Sequence, residues 1–247
     1  MFAEPGTYDQ VTMFSPEGRL LQVEYALEAV NSGATVVGVS CLEGIVLGAE
    51  EGVRTDLQGL DFSWKIYEVD VHLGAAVVGL VADARILIDQ ARIDAQINML
   101  TYDEPIDIEV LTKRIGDIKQ LYTQHDGVRP FGVSIVFGGV DKTGNRLFAT
   151  DPSGFYRGYR AVALGYGREV AEAILGEEYR EGLKLNEAIM LAVKCLVKAT
   201  EVQGKKLAVS IAVIPSETRR FRMLTAEEVE SYMRRVARRG VRNRRRK

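Results

Sequence analysis

The segment FSPEGRLLQVEYALEAVNSGATVVGVSC, residues 14–41, contains the residues that decide the fold. Its first part predicts a helix from Phe14 to Ser32, because Ser15 can accept hydrogen bonds from the first free N–H groups and apolar residues then recur near the helical period. Gly33 can end this helix in the left-handed conformation. A strand rich in valine follows from Ala34 to Cys41. The segment therefore predicts a helix that leads directly into a strand.

The rest of the chain alternates between pairs of strands and pairs of helices. The predicted order is helix, four strands, two helices, four strands, two helices, two strands and a last helix. That last helix begins with a capping box of Thr225 and Glu228. Earlier, the helix from Ala82 to Leu100 is predicted to gather its apolar residues near one face. Paired strands between paired helices favour stacked antiparallel sheets with helices outside, an α+β sandwich, over alternating βαβ units.

The chain is predicted to be one domain with flexible ends. It has 247 residues, of which 47% are hydrophobic, and no Pro/Gly/Ser-rich linker divides it. We expect a flexible N-terminal segment (1–12), a single domain (13–237) and a basic flexible tail (238–247). The sequence has neither a signal-peptide pattern nor an apolar run of ~18 residues, so we expect a cytoplasmic protein with no membrane partner. Cys41 and Cys195 are predicted to be buried or half-buried thiols.

Charge is distributed unevenly along the chain. Nine basic residues and no acidic one lie between Ser231 and Lys247. The remainder carries −11, since the whole chain is at −2 and the tail at +9. Arginines in such a tail can neutralise phosphates, which leaves nucleic-acid binding as an alternative. Because the body is acidic and only Tyr232 lies among the arginines, we favour a solvated tail, or one that contacts an acidic partner, and predict no specific nucleic-acid partner.

Several motifs spread along the chain resemble those of proteasome α subunits, in particular the archaeal type. They are Tyr8-Asp9, Phe14 to Leu20 followed by Gln22 to Ala26, Gly79 to Arg85, Gly127 to Ser134, and Asp151 to Gly154. The resemblance implies a four-layer αββα sandwich of the N-terminal-nucleophile hydrolase type. It also implies a seven-membered ring of α subunits that caps proteolytic β subunits and admits unfolded proteins through its pore. Neither a cofactor nor a metal is implied.

The resemblance also shows where a nucleophile would be. Catalytic β subunits use a threonine that is the first residue after cleavage, with its own amine as base. Matching Gly38 to the strand glycine of that family places Ala34 at this position, in an uncleaved chain. Glu50 and Lys65 then match the acid and the lysine of the catalytic set, although for Glu50 the plainer and favoured interpretation is a structural ion pair. We therefore expect no catalytic residue, and keep an active threonine-type hydrolase of this fold as the alternative.

By the same resemblance, Lys65 is expected to line a pocket between adjacent subunits. There it would pair with the C-terminal carboxylate of an activator, including the AAA+ regulatory ATPase, because a lysine offers a full charge and three donors. Gly79 and Leu80 complete the pocket, with Gly18 and Glu24 across the interface. A solvated lysine at a strand end is the plainer interpretation.

Two further groups of residues are assigned by resemblance to the pore. Tyr8, Asp9, Pro16 and Tyr25 match a cluster that positions the N-terminal gate. The loop of His125, Asp126 and Gly127 stands where the family has Tyr-Gly-Gly at the pore constriction, so we expect a more polar constriction. The gate departs from the family in two ways: the spacing from Tyr8 to Phe14 is one residue short, and Gln10 replaces a common arginine. A last alternative is a homo-oligomer that shares only the fold.

Overall fold

The structure, a computed structural model, describes residues 12–51, 63–203 and 208–244. Within these ranges the chain forms six helices and ten strands in the order that the sequence predicts. The helices are α1 (Leu21–Asn31), α2 (Val81–Tyr102), α3 (Ile108–Tyr122), α4 (Arg168–Glu178), α5 (Leu185–Gln203) and α6 (Ala226–Arg244). The strands are β1 (Val36–Cys41), β2 (Gly44–Glu51), β3 (Ile66–Asp70), β4 (Leu73–Gly79), β5 (Val133–Asp141), β6 (Gly144–Thr150), β7 (Tyr156–Gly158), β8 (Ala161–Leu164), β9 (Ala208–Pro215) and β10 (Arg222–Met223). In the part of the chain described, no helix is long and apolar enough to cross a membrane.

The strands form two antiparallel sheets of five strands each. The first sheet has the order β10-β9-β2-β1-β8, and the second has the order β3-β4-β5-β6-β7. Strand β1 lies inside the first sheet, where Val36 pairs with Ala49 of β2 on one side and Leu164 of β8 on the other. The head of β1 is therefore fixed by main-chain pairing on both edges.

The two sheets pack face to face, and helices cover their outer faces. Helices α4, α5 and α6 pack on the first sheet, and α2 and α3 pack on the second. Helix α1 packs on β4 and β5 and adds Val30 to the core between the sheets. That core is made of buried aliphatic residues from both sheets, among them Val36, Ile45, Leu47, Ala76, Val136, Leu147 and Ala212. The predicted αββα sandwich is confirmed.

Helix α1 begins later than predicted, at Leu21 instead of Phe14. A turn precedes it, in which Ser15 N–H donates to the Arg19 carbonyl (2.9 Å) and Gly18 N–H donates to the Ser15 carbonyl (2.8 Å). Gly18 has a φ of +78°, in the left-handed region that a right-handed helix cannot contain. The Ser15 hydroxyl accepts from Arg19 N–H (3.2 Å), so it closes this turn and does not cap α1.

Helix α2 has apolar residues on two faces, where the sequence predicted one. Leu87 and Ala91 are buried against the second sheet. The other apolar residues of the prediction point outward, and Ile86, Ile93, Ile97 and Leu100 are each at least half exposed. A helix packed on a sheet buries only one stripe, which leaves this second row at the surface.

Helix α6 begins at the predicted capping box. Thr225 N–H donates to the Glu228 carboxylate (2.8 Å), and Glu228 N–H donates to the Thr225 hydroxyl (3.3 Å), so the capping box is confirmed. The backbone stays helical to Arg244, seven residues past the proposed domain end at 237. Alanine and arginine favour helices, which accounts for the continuation. The division into 1–12, 13–237 and 238–247 stays a prediction.

Cys41 and Cys195 are both buried thiols, as predicted. Burial raises the pKa of each, that of Cys195 to about 12. Both side chains are therefore protonated at neutral pH and behave as small apolar residues of the core.

Candidate functional site

The residues just before β1 are held inside the fold by main-chain contacts. Gly33 N–H donates to the Val30 carbonyl (3.0 Å), and the Gly33 carbonyl accepts from Tyr166 N–H (2.9 Å). Gly165 has a φ of +96°, and a Cβ added there would lie 2.6 Å from the Gly33 carbonyl oxygen. Only glycine fits so close an approach. The peptide bond between Gly33 and Ala34 is thus held in place by hydrogen bonds and close packing.

Glu50, in β2, binds the same strand head. One of its carboxylate oxygens accepts from Thr35 N–H (3.3 Å), and the other accepts from the Tyr166 hydroxyl. Glu50 is only 3% exposed. Burial, followed by the hydrogen bond to Glu50, raises the pKa of Tyr166, so the phenol stays protonated and donates. The structure thus gives Glu50 two hydrogen-bond donors, and its carboxylate acts here as an acceptor.

Lys65 lies immediately before β3 and faces the other side of the strand head. Its Nζ donates to the Ala34 carbonyl oxygen at 2.6 Å, and the residue is 8% exposed. Burial lowers the pKa of Lys65 to about 8, although the negative charges of Glu51 and Glu50 oppose the shift. The ammonium form therefore prevails at neutral pH by a narrow margin.

The strand head has the charges of a hydrolytic site but no described group placed to attack. The Ala34 side chain is a methyl group, and the Ala34 nitrogen belongs to a peptide bond. The neighbouring Thr35 is fully buried, and its hydroxyl accepts from Gly167 N–H at 3.1 Å. An N-terminal nucleophile needs a hydroxyl or thiol and a free amine on the same residue. Ala34 lacks both groups.

Gly79 and Leu80, two of the predicted docking residues, lie at the end of β4, the strand that pairs with β3. Val77 N–H donates to the Lys65 carbonyl (2.8 Å), two residues before Gly79. Gly79 has a φ of +112°, and a Cβ there would lie 2.2 Å from the Gly132 carbonyl oxygen. Leu80 N–H donates to that same oxygen (2.8 Å), and Leu80 is 44% exposed. Gly79 and Leu80 thus lie two and three residues beyond the partner of Lys65, and no contact among the described residues joins the Lys65 amine to either of them.

Gly18 and Glu24 lie elsewhere, in the turn before α1 and in its first turn. The Glu24 carboxylate accepts from the Arg19 guanidinium, with Nε at 2.8 Å. This hydrogen bond holds the pKa of Glu24 below its usual range. Among the described contacts of a single chain, none joins Gly18 or Glu24 to Lys65. Their predicted place across a subunit interface stays a prediction.

Only half of the predicted gate cluster is described. Pro16 is exposed in the turn before α1, and Tyr25 is 55% exposed on α1. Tyr8 and Asp9 lie outside the described residues, so the predicted cluster of four is not tested.

The predicted pore loop follows α3 and is exposed. His125, Asp126 and Gly127 lie in it, and Gly127 takes a φ of +83°. One oxygen of the Asp126 carboxylate accepts a hydrogen bond from the Thr12 hydroxyl at 2.7 Å. The loop that the sequence assigns to the constriction is therefore in contact with the start of the described chain.

The trailing end of this loop is fixed to the first turn of α2. Asp83 accepts from Arg129 at both carboxylate oxygens (2.6 and 2.8 Å), and one of these oxygens also accepts from Gly132 N–H (2.9 Å). Burial alone would raise the pKa of Asp83, but these hydrogen bonds and the Arg129 charge outweigh it and lower the pKa. The ion pair with Arg129 and the hydrogen bond from Gly132 N–H together hold the end of the loop against α2.

Sequence reasoning missed two residues of these sites. Tyr166, which binds Glu50, is flanked by Gly165 and Gly167 at the end of β8. Glycines in such a place often mark a close backbone approach, which could have drawn attention to it. No local pattern marks Thr12 as a partner of the pore loop.

The fold and the strand head together define a class of protein. Two antiparallel sheets between helical layers, with an acid and a lysine around the start of an interior strand, are the arrangement of N-terminal-nucleophile hydrolases. Residues 30–214 match the family model for proteasome subunits, and residues 8–29 match the model for the N-terminal signature of the A-type proteasome subunits. The chain belongs to the proteasome subunit family, and it carries the α-type signature.

Curated relatives agree with this membership over nearly the full chain. A proteasome alpha subunit from Methanocaldococcus jannaschii is 48% identical over 233 residues, which cover 94% of this chain and 89% of the relative. One from Methanopyrus kandleri is 48% identical over 230 residues, 93% of each chain. One from Pyrococcus horikoshii is 45% identical over 230 residues, 93% of this chain and 88% of the relative.

Proposed function

We propose that this chain is a catalytically silent α subunit of a 20S proteasome core particle. It forms a seven-membered outer ring with other α subunits, binds the ring of β subunits, and controls the entry of unfolded proteins in the cytoplasm. The α-type signature over residues 8–29 and the names of the relatives support this assignment.

The geometry at the head of β1 is the observation that supports catalytic inactivity. Lys65 donates to the carbonyl of a residue, Ala34, whose side chain has no attacking atom. The nearest hydroxyl, on Thr35, is buried and engaged with Gly167. In this proposal the chain forms the outer ring and controls entry, and the β subunit hydrolyses the peptide bonds.

Purification of the chain alone and with a β subunit tests this directly. The chain alone should hydrolyse no peptide, and its intact mass should show an uncleaved Gly33-Ala34 bond. The complex should be active and should show seven-membered rings by electron microscopy. Peptide hydrolysis by the chain alone that is lost in Thr35→Val would instead establish the threonine-type hydrolase.

We further propose that Lys65 docks the C-terminal tails of the AAA+ regulatory ATPase. The described residues offer its ammonium one acceptor, the Ala34 carbonyl, and the ammonium has three donors to give. A charge-assisted pair with a carboxylate is worth ~1.5–3 kcal/mol. In this proposal Gly79 and Leu80 line the same pocket, and Gly18 and Glu24 of the neighbouring protomer complete it.

Trp64 provides a probe for this docking. It is the only tryptophan of the chain, is 57% exposed and precedes Lys65. A peptide with the sequence of an ATPase tail should change its fluorescence in the assembled ring. The same peptide with an amidated C-terminus should not, and Lys65→Ala should abolish the change while leaving ring assembly normal. Equal responses to the free and amidated peptides would contradict carboxylate docking.

We also propose that the N-terminal segment, with Tyr8, Asp9, Pro16 and Tyr25, gates the pore bounded by the loop at His125, Asp126 and Gly127. Deletion of residues 1–11 should raise activator-free peptide hydrolysis by the whole particle. Deletion of residues 245–247, at the other end of the chain, is the control and should have no effect. Unchanged hydrolysis after the N-terminal deletion would refute gating.

A further inference from the structure

A cleft lies at the side of the sandwich where the chain passes from the second sheet to the first, between β7 and β8. Its volume is about 300 Å³. Strand β6 contributes Arg146 to the lining, and the turn from β7 to β8 contributes Tyr159 and Arg160. Among the described residues that line the cleft, two are cationic and none is acidic. The cleft is therefore positive, although the chain outside its basic tail has a net negative charge.

The pairing of β6 with β7 brings the two arginines next to each other. Tyr159 N–H donates to the Leu147 carbonyl (2.8 Å), which continues the antiparallel pairing of the two strands by one residue. The next residues along the two segments are Arg160 and Arg146. Like charges that lie opposite each other destabilise a sheet. An anion bound in the cleft would remove this repulsion.

The contacts within one chain leave much of this positive charge unpaired. Arg146 donates through Nε to the Thr143 hydroxyl (2.6 Å), and no described residue accepts from its two terminal nitrogens. Arg160 forms an ion pair with Glu181, but the two side chains are 72% and 73% exposed, and pairs so exposed contribute little. The bond to Thr143 orients Arg146 and leaves its terminal NH2 groups for a further acceptor. A guanidinium binds a carboxylate through two parallel hydrogen bonds.

The opposite edge of the same sheet carries an exposed carboxylate. The second sheet has the order β3-β4-β5-β6-β7, so β3 and β7 are its two edge strands. Glu68 is exposed on β3, and no described residue forms an ion pair with its side chain. Arg92 donates to the Glu68 carbonyl oxygen (3.0 and 2.9 Å) and pairs with Asp89 instead. A positive cleft and a negative side chain thus lie on opposite sides of one sheet.

We propose that the cleft at Arg146 and Arg160 binds a carboxylate of a second copy of this chain, and that this carboxylate is Glu68 of the neighbouring copy. The inference rests on the ring assembly proposed above. A ring needs a head-to-tail contact between two different surfaces of the same chain, and the edges at β7 and β3 are two such surfaces. Copies with a net negative charge repel each other, so a positive cleft that receives a negative side chain selects one register of contact over others.

The experiment is a charge exchange in the chain co-expressed with a β subunit, read as the yield of rings by native mass spectrometry. Arg146→Glu and Glu68→Arg should each lower this yield at least about tenfold, because each places like charges in contact at every interface. The two substitutions combined should restore most of the yield, because the pair forms again with its charges exchanged. Arg168→Glu makes the same charge change on α4; it is the control and should assemble normally.

Circular dichroism of each variant separates loss of assembly from loss of folding. A second measurement needs no variant: ring formation by the unaltered chain should weaken between about 50 and 500 mM NaCl, because salt screens the pair. Insensitivity to salt, normal assembly of either single variant, or a combined variant no better than the single ones would overturn the inference.

Two further outcomes distinguish this inference from the proposed function and from another source of carboxylate. If the unaltered chain forms no ring with a β subunit, the proposed function fails and the inference fails with it. If Arg146→Glu assembles normally but loses the binding of a polyglutamate peptide that the unaltered particle shows, the carboxylate comes from another protein. The ring assembly would then stand, and the contact with Glu68 would be wrong.

Discussion

Lys65 is a residue whose charge at neutral pH depends on a balance between burial and two carboxylates. Its pKa is lowered from 10.5 to about 8. Docking of a tail carboxylate requires the ammonium, so affinity should be highest below pH 8 and should fall as the pH rises above it. A bound carboxylate favours the charged form and moves the midpoint upward.

The Trp64 fluorescence titration, repeated from pH 6.5 to 9.5, would measure this dependence. Lys65→Arg supplies a control, because a guanidinium stays charged throughout. Whatever the affinity of the Lys65→Arg ring for the peptide, that affinity should not change with pH over this range. A flat profile for the unaltered chain would contradict a titrating Lys65.

Lys119 is a fully buried lysine that the sequence did not mark. Its Nζ donates to the Val133 carbonyl (3.0 Å) and the Thr150 carbonyl (3.3 Å). Burial lowers its pKa to about 7, against a smaller opposing effect of Asp151. Between pH 7 and 10.5 the unfolded chain therefore holds a proton that the folded chain has released, and stability rises with pH across that window.

Lys119→Met should accordingly stabilise the protein, most strongly below pH 7, by on the order of 2 kcal/mol after the two lost hydrogen bonds are subtracted. The gain should shrink as the pH rises towards 10. Thermal unfolding of both proteins at pH 6, 8 and 9.5 measures it. A gain that does not change with pH would show that ionisation is not its cause.

Single residues could be predicted where a motif surrounds them. The resemblance located Ala34, Glu50 and Lys65 at the strand head, and the structure brings these three together. It could not supply Tyr166 or Thr12, whose partners lie more than a hundred residues away. Such pairs follow from packing of the whole chain and leave no local pattern.

At the scale of elements, α2 and the loop before β5 are joined through Asp83. Asp83→Ala leaves the Gly132 N–H without its acceptor and Arg129 without its partner, which should cost ~2–3 kcal/mol. Arg129→Gln should cost less, because Arg129 is largely exposed. Because the folded state lowers the pKa of Asp83, its contribution is present above about pH 4 and is lost as the pH falls through the folded pKa.

Urea unfolding at pH 7 and at a series of lower pH values down to about pH 2 would test the cost of each substitution and its loss in acid. Asp89→Ala, an exposed carboxylate on the same helix, is the control. Equal losses in Asp83→Ala and Asp89→Ala would contradict a special role for Asp83.

The elements themselves could largely be predicted from periodicity and turn residues. Every helix and strand is present in the predicted order, and the capping box of Thr225 and Glu228 forms. The predicted start of α1 was wrong because serine and proline, here Ser15 and Pro16, are common both at the start of a helix and in a tight turn. Gly18 has a left-handed φ, which a tight turn allows and a right-handed helix does not.

At the scale of the whole molecule, the exposed row on α2 is the feature that a single chain leaves unexplained. Ile86, Ile93 and Ile97 are about half exposed, and Leu100 is 86% exposed. Apolar rows of this kind mark surfaces that contact other chains. Replacing Ile93 and Ile97 with glutamate should leave folding intact and prevent co-purification with other proteasome subunits. Gln96→Glu, on the same helix, adds charge at an exposed polar position and should assemble normally.

The sandwich as a whole could be predicted from the order of paired strands and paired helices. The arrangement of strands within each sheet could not. Strand β1 lies beside β8 in the first sheet, although more than a hundred residues separate Val36 from Leu164. Pairings of this length depend on which faces the helices cover, and that information is spread over the entire chain.

Gly132 is hydrogen bonded on both sides of its backbone. Its carbonyl accepts a hydrogen bond from Leu80 N–H, and its own N–H donates to the Asp83 carboxylate. Six residues earlier along the same loop stands Asp126. If a tail docks at Leu80 as proposed, a displacement of Leu80 would move the Gly132 carbonyl and, through the backbone, the loop that carries Asp126.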